Sequence, residues 1–261
     1  MFVPYTRDTA LNAAIEDYFN ALIEKDGDMH DCPLHFPYVE RVKACKKVVI
    51  TGPVGVGKTS IVNEVIKYLD DRNVNYILVP EYIDVLPDAN DRLTSYLQGK
   101  ISSYDFQRYV SVYYAQYLKQ IAERITPKTI LIFERVPDDA LWCFVKMDYM
   151  KGLISPDERE MLSKVINKMN VFLNLPSYNM AKNQAALIVK SDELVNNAKV
   201  VANFICDSAY DRIVIGLFND TKICHERVLN RARPGEEAYN FNSIFMFNKC
   251  YAELYSNIMF T

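Results

Sequence analysis

The sequence predicts an α/β fold in which a parallel sheet is flanked by helices on both faces. Short apolar runs typical of strands alternate with longer segments whose apolar residues recur at helical spacing. A glycine-rich loop separates the first of these strands from the helix that follows it. Strands that alternate with helices favour a parallel sheet, because each crossover returns the chain to the same end. Half of the 261 residues are apolar, which is enough for one such core.

The elements can be assigned in chain order. Residues 10–24 have apolar side chains at helical spacing and precede a polar, proline-containing stretch, so we interpret 1–44 as an N-terminal helical arm. The remainder, 45–261, forms the main domain in this interpretation. Runs of valine, isoleucine and leucine predict its strands, and apolar side chains at 3.6-residue spacing predict its helices. The predicted strands are 48–51, 76–80, 129–133 and 212–217, and the predicted helices are 59–69, 106–125 and 224–231.

The glycine-rich loop at 52–60 matches the phosphate-binding pattern G-x-x-x-x-G-K-[ST] between a strand and a helix. Glycine lets the backbone turn so that successive N–H groups face phosphate oxygens. Lys58 can reach the outer phosphates, and the hydroxyl of Thr59 can bind Mg²⁺. The residues that we expect to bind the phosphates of ATP are Gly52, Gly55, Gly57, Lys58, Thr59 and Ser60.

Charged residues follow two further predicted strands. Glu81 comes just after strand 76–80, and Glu134 and Arg135 come just after strand 129–133. Ligands bind beyond the carboxyl ends of parallel strands, so we expect these side chains to meet the phosphate loop. Glu81 is placed to take a proton from an attacking hydroxyl, Glu134 to bind Mg²⁺ with Thr59, and Arg135 to stabilise a transferring phosphoryl group.

A cluster of arginines lies near the end of the last predicted helix. Arg227 and Arg231 share a helix face, and Arg233 follows close to Gly235. Three guanidinium groups beside a glycine hinge are typical of a lid that closes over a triphosphate. The sequence therefore predicts a helical lid whose arginines contact the phosphates of ATP.

The bulk properties restrict the class of protein. A net charge of −3 and a pI near 5.7 argue against a general nucleic-acid binder. Six cysteines without a C-x-x-C pair make a structural zinc site improbable and fit a reducing compartment. With no signal pattern and no long apolar run, we expect a soluble cytoplasmic or otherwise intracellular protein that binds neither membranes nor nucleic acid.

Together these motifs resemble the deoxynucleoside kinase family, over residues 47–255 with a gap in the middle. The acid after a proline at 80–81, the Glu-Arg pair at 134–135 and the lid sequence at 226–233 are all similar to family motifs. The resemblance implies a P-loop kinase fold with a helical lid, phosphorylation of a deoxynucleoside 5′-hydroxyl by ATP with Mg²⁺, and a homodimer. It makes Glu81 the base for that hydroxyl, with Lys58 and Arg135 as catalytic partners.

The resemblance also assigns a nucleoside pocket. Phe106-Gln107 is similar to the family's Phe-Gln pair, which implies that Gln107 binds the base edge and that Phe106 lines the pocket. Tyr96 matches the tyrosine that holds the 3′-hydroxyl, and Phe144 matches the ring that stacks on the base. The acid that follows the lid is Glu236 or Glu237, and the resemblance leaves this choice open.

The chain also departs from the family pattern. Val136 replaces the serine after Glu-Arg, and Leu86 stands where an aromatic wall of the pocket is expected. Residues 153–210 exceed the family's length, so we expect an insertion there, with Asn- and Lys-rich helical sequence. Ala140 replaces a base-binding aspartate, and the bulky Tyr114 lies close to the helix face of Gln107, which together favour a pyrimidine such as thymidine.

Three other interpretations remain open at this stage, one of them a catalytically inactive relative that serves as a binding module, although Lys58, Glu81, Arg135 and the lid arginines are all retained. A nucleoside monophosphate kinase such as thymidylate kinase shares the loop, sheet and lid, but it needs cations for the acceptor phosphate, and segment 81–90 carries Asp84 and Asp88 near Glu81. A regulatory GTPase or ATPase is the alternative from another class. The guanine-binding Asn-Lys-x-Asp motif is missing, since 167–170 reads Asn-Lys-Met-Asn.

Overall fold

Five parallel strands form the sheet, in the order β2–β3–β1–β5–β4. The structure is a computed structural model, and it describes residues 38–178 and 184–260. Val48, Val49 and Ile50 of the central strand are fully buried although successive side chains point to opposite faces, so helices cover both faces. The predicted α/β fold is therefore confirmed. The strands are β1 (Lys46–Thr51), β2 (Tyr76–Val79), β3 (Ile130–Glu134), β4 (Ala185–Lys190) and β5 (Arg212–Phe218).

Helices connect the strands and pack on them. All three helices predicted in the main domain begin earlier in the structure: the first begins at Lys58, the long helix at Ser103 and the lid helix at Thr221. The start of the long helix is fixed by Ser102, whose hydroxyl accepts from the Asp105 amide. Short 3₁₀ turns at Tyr82–Asp84, Ala122–Arg124 and Glu236–Ala238 complete the connections. The helices are α1 (Tyr38–Ala44), α2 (Lys58–Asp71), α3 (Ala89–Leu97), α4 (Ser103–Ile121), α5 (Pro137–Asp139), α6 (Lys146–Met150), α7 (Pro156–Leu173), α8 (Leu194–Asp207), α9 (Thr221–Arg231) and α10 (Phe241–Phe260).

The register of the sheet brings the strand ends together. Ile50 pairs with Glu134, and Val79 pairs with Phe133, so the residues that follow β1, β2 and β3 leave the sheet side by side. Helix α4 is fixed against β2 because the Tyr113 hydroxyl donates to the Pro80 carbonyl at 2.8 Å. This anchor sets which side chains of α4 face the strand ends.

A π-helical stretch, Ala140–Val145, links α5 to α6 directly after β3. Such widened turns are uncommon and occur frequently at functional sites. Here the stretch brings Ala140 and Phe144 to the same cavity beside Arg135.

The segment 153–210 is only partly helical. It contains α7, β4 and α8, and β4 pairs with β5 along its whole length, so the described part of this segment is built into the sheet. This strand was not predicted from the sequence. It lies at the edge of the sheet, where four of its six side chains are only half-buried, so its apolar run is weak. The expectation of helical sequence in this segment therefore does not hold for Ala185–Lys190.

Most of the predicted N-terminal arm lies outside the described residues, and its predicted helix at 10–24 is among these. The described end of the arm is α1, which packs against α7. Across 38–178 and 184–260, no helix is both long enough and apolar enough to span a bilayer.

Candidate active site

The phosphate loop lies between β1 and α2, and its glycines are required by geometry. Gly55 has a φ of 79°, and a Cβ there would collide with the Cys224 carbonyl of the lid helix. Gly57, with a φ of 100°, immediately precedes α2 and faces the Arg227 guanidinium. Side chains at these positions would therefore strain the loop and push the lid away.

Lys58 is buried at the start of α2 and points back along the loop. Its Nζ lies 3.3 Å from Glu81 Oε1, and it donates longer bonds to the Gly52 and Pro53 carbonyls at 3.4 and 3.5 Å. Burial, and then the nearby charge of Arg135, lower the pKa of Lys58. The ammonium group of Lys58 therefore lies at the phosphate loop, where its hydrogen bonds to the loop carbonyls are long.

Glu81 and Arg135 form the second half of this charged centre. Arg135 donates from Nη1 to Glu81 Oε2 at 3.1 Å and from Nη2 to the Gly52 carbonyl at 3.1 Å. Burial alone would raise the pKa of Glu81, but the charges of Arg135 and Lys58 outweigh it and lower that pKa to about 2. The Glu81 carboxylate is therefore ionised and clamped between two cations.

The backbone of Arg135 is in the left-handed region, with a φ of 65°, which is uncommon for a residue with a side chain. Its Nε is buried and has no hydrogen-bond partner among the described residues. The strained turn directs the guanidinium back across the end of β1, and its carbon lies 5.2 Å from the ring centre of Phe144. Such strain is typical of functional positions.

Glu134 and Thr59 meet behind the loop. The Thr59 hydroxyl donates to Glu134 Oε1 at 2.7 Å. Burial, followed by the charge of Glu81, raises the pKa of Glu134 to about 7. These two oxygen ligands match the chemistry of Mg²⁺, which is bound by one or two protein oxygens together with substrate phosphates. Within the described ranges, no cluster of three or more acidic, histidine or cysteine side chains could hold a metal alone.

The three lid arginines all face the cavity, each with a different partner. Arg227 donates to the Val56 carbonyl at 2.7 Å, within the phosphate loop. Arg231 makes a bidentate ion pair with Glu236, and Arg233 pairs with Asp84 at 2.7 Å. The ion pair with Asp84 joins the lid to the turn that follows Glu81.

A cavity of about 510 Å³ opens from this charged centre. On one side it is bordered by the phosphate loop and the lid arginines, and on the other by aromatic and apolar side chains from α3, α4 and the π-helical stretch. The second side carries few charges, and such a lining suits a small neutral, ring-shaped ligand. Its aromatic and polar lining includes Tyr82, Tyr96, Phe106, Gln107, Tyr114, Phe144 and Tyr239.

Most of the residues predicted from sequence line this one cavity. Those that do so are Gly55, Gly57, Lys58, Thr59, Ser60, Glu81, Tyr96, Phe106, Gln107, Tyr114, Arg135, Ala140, Phe144, Arg227, Arg231, Arg233 and Glu236. Gly52 and Glu134 lie behind the lining, where they contact Arg135 and Thr59 respectively. Glu237 is exposed and does not line the cavity, whereas Glu236 is buried in it.

Several cavity residues were missed. Ser191 follows β4 and donates to the Val56 carbonyl at 2.5 Å, so recognition of that strand would have revealed it. Tyr82 forms an aromatic wall, whereas Leu86, where the wall was expected, is buried outside the lining. Tyr239 and Asp139 carry no sequence signal that we recognise.

Asp138 and Asp139 form a buried polar network behind Arg135. Asp139 accepts bonds from the hydroxyls of Thr51, Tyr178 and Tyr251, and from the Val136 amide at 2.8 Å. Asp138 accepts from Asn170, Ser177 and the Tyr178 amide. The network ties the segment after α7 to the turn that carries Arg135, which links residues distant in sequence.

A phosphate loop, a helical lid and a charged centre at the ends of parallel strands define a P-loop phosphotransferase. Residues 48–181, just over half of the chain, match the model of the family described as Deoxynucleoside kinase. The chain therefore belongs to the deoxynucleoside kinase family, whose members phosphorylate nucleosides.

A solved structure of deoxyadenosine kinase shows the same fold. Deoxyadenosine kinase from M. mycoides, with products dCMP and a flexible dCDP bound, is 20% identical, with a TM-score of 0.51 over 82% of this chain and 85% of that one. The same enzyme with bound dATP is 22% identical, with a TM-score of 0.48 over 81% and 84% of the two chains. No curated protein sequence is significantly similar to the chain.

Proposed function

We propose that this protein transfers the γ-phosphate of ATP to the 5′-hydroxyl of a deoxynucleoside, most readily a pyrimidine such as thymidine. The observation that carries the proposal is the position of Glu81. Its carboxylate lies between Lys58 and Arg135, at the junction of the phosphate loop and a largely uncharged aromatic pocket. An acceptor hydroxyl in that pocket would meet the phosphate chain beside Glu81.

The residues divide the chemistry in this proposal. Glu81 orients the 5′-hydroxyl and accepts its proton as the new bond forms, while Arg135 stabilises charge on the transferring group. A pKa of about 2 makes Glu81 a weak base, but a triphosphate that engages Lys58 would remove one of its two cations and raise that pKa. Binding of the triphosphate would thus make Glu81 a stronger proton acceptor.

The remaining phosphate contacts come from the loop and the lid. The backbone of Gly52, Gly55 and Gly57 and the hydroxyl of Ser60 cradle the phosphates, and Arg227, Arg231 and Arg233 spread the transition-state charge. Thr59 and Glu134 would hold Mg²⁺, which neutralises charge on the phosphate oxygens when it is bound.

The preference for a pyrimidine rests on the aromatic side of the pocket. Gln107 lies there on α4 and can read a base edge, with Phe144 as the stacking ring. Tyr114 is almost fully buried and lines the cavity, and in this proposal its ring takes the space that the second ring of a purine would need. Ala140 offers no charge to the base. The structural neighbour named above is a deoxyadenosine kinase, so deoxyadenosine is the competing substrate in the test below.

A nucleoside monophosphate kinase is the second candidate, since it shares the loop and lid. It would need cations for the acceptor phosphate beyond those that serve ATP. Lys58, Arg135 and Arg233 lie beside Glu81 and Asp84, and all three are assigned above to the phosphates of ATP or to the transferring group. The other cations of the described cavity lining, Arg227 and Arg231, are assigned to ATP as well, which favours a neutral acceptor.

A substrate panel tests the proposal. The purified protein is incubated with ATP and Mg²⁺ and, separately, with thymidine, deoxycytidine, deoxyadenosine, deoxyguanosine or thymidine monophosphate. We expect the largest kcat/KM with thymidine. A preference for thymidine monophosphate would establish the second candidate, a preference for deoxyadenosine would reject the pyrimidine assignment, and activity with none of the five would reject the kinase.

We also propose that 45–261 forms the catalytic domain, with 1–44 as an arm, and that the protein is a homodimer. The family resemblance is the support for the dimer, and light scattering of the purified protein measures it directly. The assignment of the arm is tested separately. Deletion of residues 1–37 should leave kcat/KM for thymidine unchanged.

A further inference from the structure

One carboxylate next to the cavity has no role in the mechanism above. Asp148 lies in α6, is 2% exposed, and accepts bonds at Oδ2 from the hydroxyls of Tyr96 (2.6 Å) and Ser103. Tyr96 lines the cavity, whereas Asp148 lies outside the lining and reaches the ligand space only through Tyr96. A buried carboxylate is costly unless it is well paired, which calls for an explanation of its presence.

The contact fixes the direction in which the Tyr96 hydroxyl donates. A carboxylate can only accept, so the Tyr96 proton points toward Asp148 and only its oxygen lone pairs remain for a ligand. Burial, and then the Asp148 charge, raise the pKa of Tyr96, which keeps the proton in place. The ring cannot swing away, because it stacks on Phe106 with a centroid distance of 4.4 Å and an interplanar angle of 1°.

The lid also reaches this corner of the cavity. Gly235 of the lid is so close to Thr94 that an added Cβ would lie 2.8 Å from the Thr94 hydroxyl, which places Glu236 beside the helix that carries Tyr96. Both oxygens of Glu236 accept hydrogen bonds from Arg231, so this side chain is already paired within the lid. Tyr239 lines the cavity there too, and after burial the charge of Glu236 raises its pKa.

We propose that Asp148 is a positioning residue that orients the Tyr96 hydroxyl as an acceptor, so that this corner selects nucleosides whose sugar donates a hydrogen bond there. The inference rests on the proposed function and adds to it. The sugar 3′-hydroxyl is the group that would donate. An analogue with 3′-fluorine keeps the size of the hydroxyl but has no proton to give, and should be rejected.

The test compares kcat/KM for a 2′-deoxynucleoside with that for its 3′-fluoro-2′,3′-dideoxy analogue. Because both are measured on the same preparation, their ratio does not depend on the folded fraction. In Asp148→Ala the Tyr96 hydroxyl becomes free to rotate and donate, so we expect the ratio to fall about tenfold, the size of one hydrogen bond. Tyr96→Phe should lower it similarly, and the double variant should lower it no further.

The pair formed by Tyr109 and Asp88 provides the matched control. The Tyr109 hydroxyl donates to Asp88 at 2.9 Å, and neither residue lines the cavity. Tyr109→Phe and Asp88→Ala should leave the ratio unchanged. A ratio in Asp148→Ala within twofold of the parent, or additive effects in the double variant, would overturn this inference alone. Failure of the parent protein to phosphorylate any nucleoside would reject the proposed function and the inference with it.

Discussion

Replacement of Glu81 by glutamine is the sharpest perturbation of the proposed mechanism. The substitution removes a charge that lies 3.3 Å from Lys58 and 3.1 Å from Arg135 and keeps the shape of the side chain. At an effective dielectric constant of about 20, each of these contacts has a Coulomb energy of about 5 kcal/mol before the desolvation of both partners is subtracted. Measurements on buried ion pairs give about 3 kcal/mol or more when one partner is lost.

Two consequences follow for Glu81→Gln. The free energy of unfolding should fall by about 3 kcal/mol, which for a chain of this length lowers the melting temperature by ~6–12 °C. Turnover should fall about 10²- to 10⁴-fold, because the hydroxyl loses its proton acceptor. Binding of a non-hydrolysable ATP analogue should persist or strengthen, since Lys58 no longer has a carboxylate that competes with the phosphates.

The assay combines steady-state kinetics with thymidine, calorimetric titration with the ATP analogue, and melting with and without it. The analogue should raise the melting temperature of the variant more than that of the parent. Its phosphates supply negative charge to Lys58 and Arg135, which have lost Glu81 as their shared counter-ion. Glu253→Gln, which breaks an ion pair with Lys146 on the surface of α10, is the control and should change none of these quantities appreciably. Turnover of Glu81→Gln within tenfold of the parent would refute the reasoning.

Two further predictions concern Tyr114, which lines the cavity, and Asp138, which lies in the buried network behind Arg135. Tyr114→Ala removes a buried ring from the base end of the cavity, so the ratio of kcat/KM for deoxyadenosine to that for thymidine should rise at least about tenfold, and an unchanged ratio would exclude Tyr114 as the size filter. Burial raises the pKa of Asp138 from 3.8 to about 6, so its stabilising contribution is complete below pH 4 and is lost as the pH rises through 6. At about 1.36 kcal/mol for each pH unit, this amounts to ~3 kcal/mol. Urea unfolding should therefore show the free energy of unfolding of Asp138→Asn rising by that amount relative to the parent between pH 4 and 7, and a constant difference would contradict the assigned pKa.

Local patterns carried much of the prediction. The phosphate loop needs consecutive residues, and Glu81, Glu134 and Arg135 follow strands that their own apolar runs reveal. Strand β4 was missed because an edge strand is only half-buried and its apolar run is correspondingly weak. Ser191 was missed for the same reason, because it directly follows that strand and contacts Val56 of the phosphate loop.

The sequence by itself determined the α/β class, the phosphate loop and the identity of the charged residues at the strand ends, because each of these depends on neighbours in the chain. Only the tertiary structure decided how those charges pair, that Glu236 and not Glu237 lines the cavity, and that Asp148 controls the Tyr96 hydroxyl. Asp148 and Tyr96 are 52 residues apart. The direction of a proton between such residues depends on packing and burial, which no local pattern specifies.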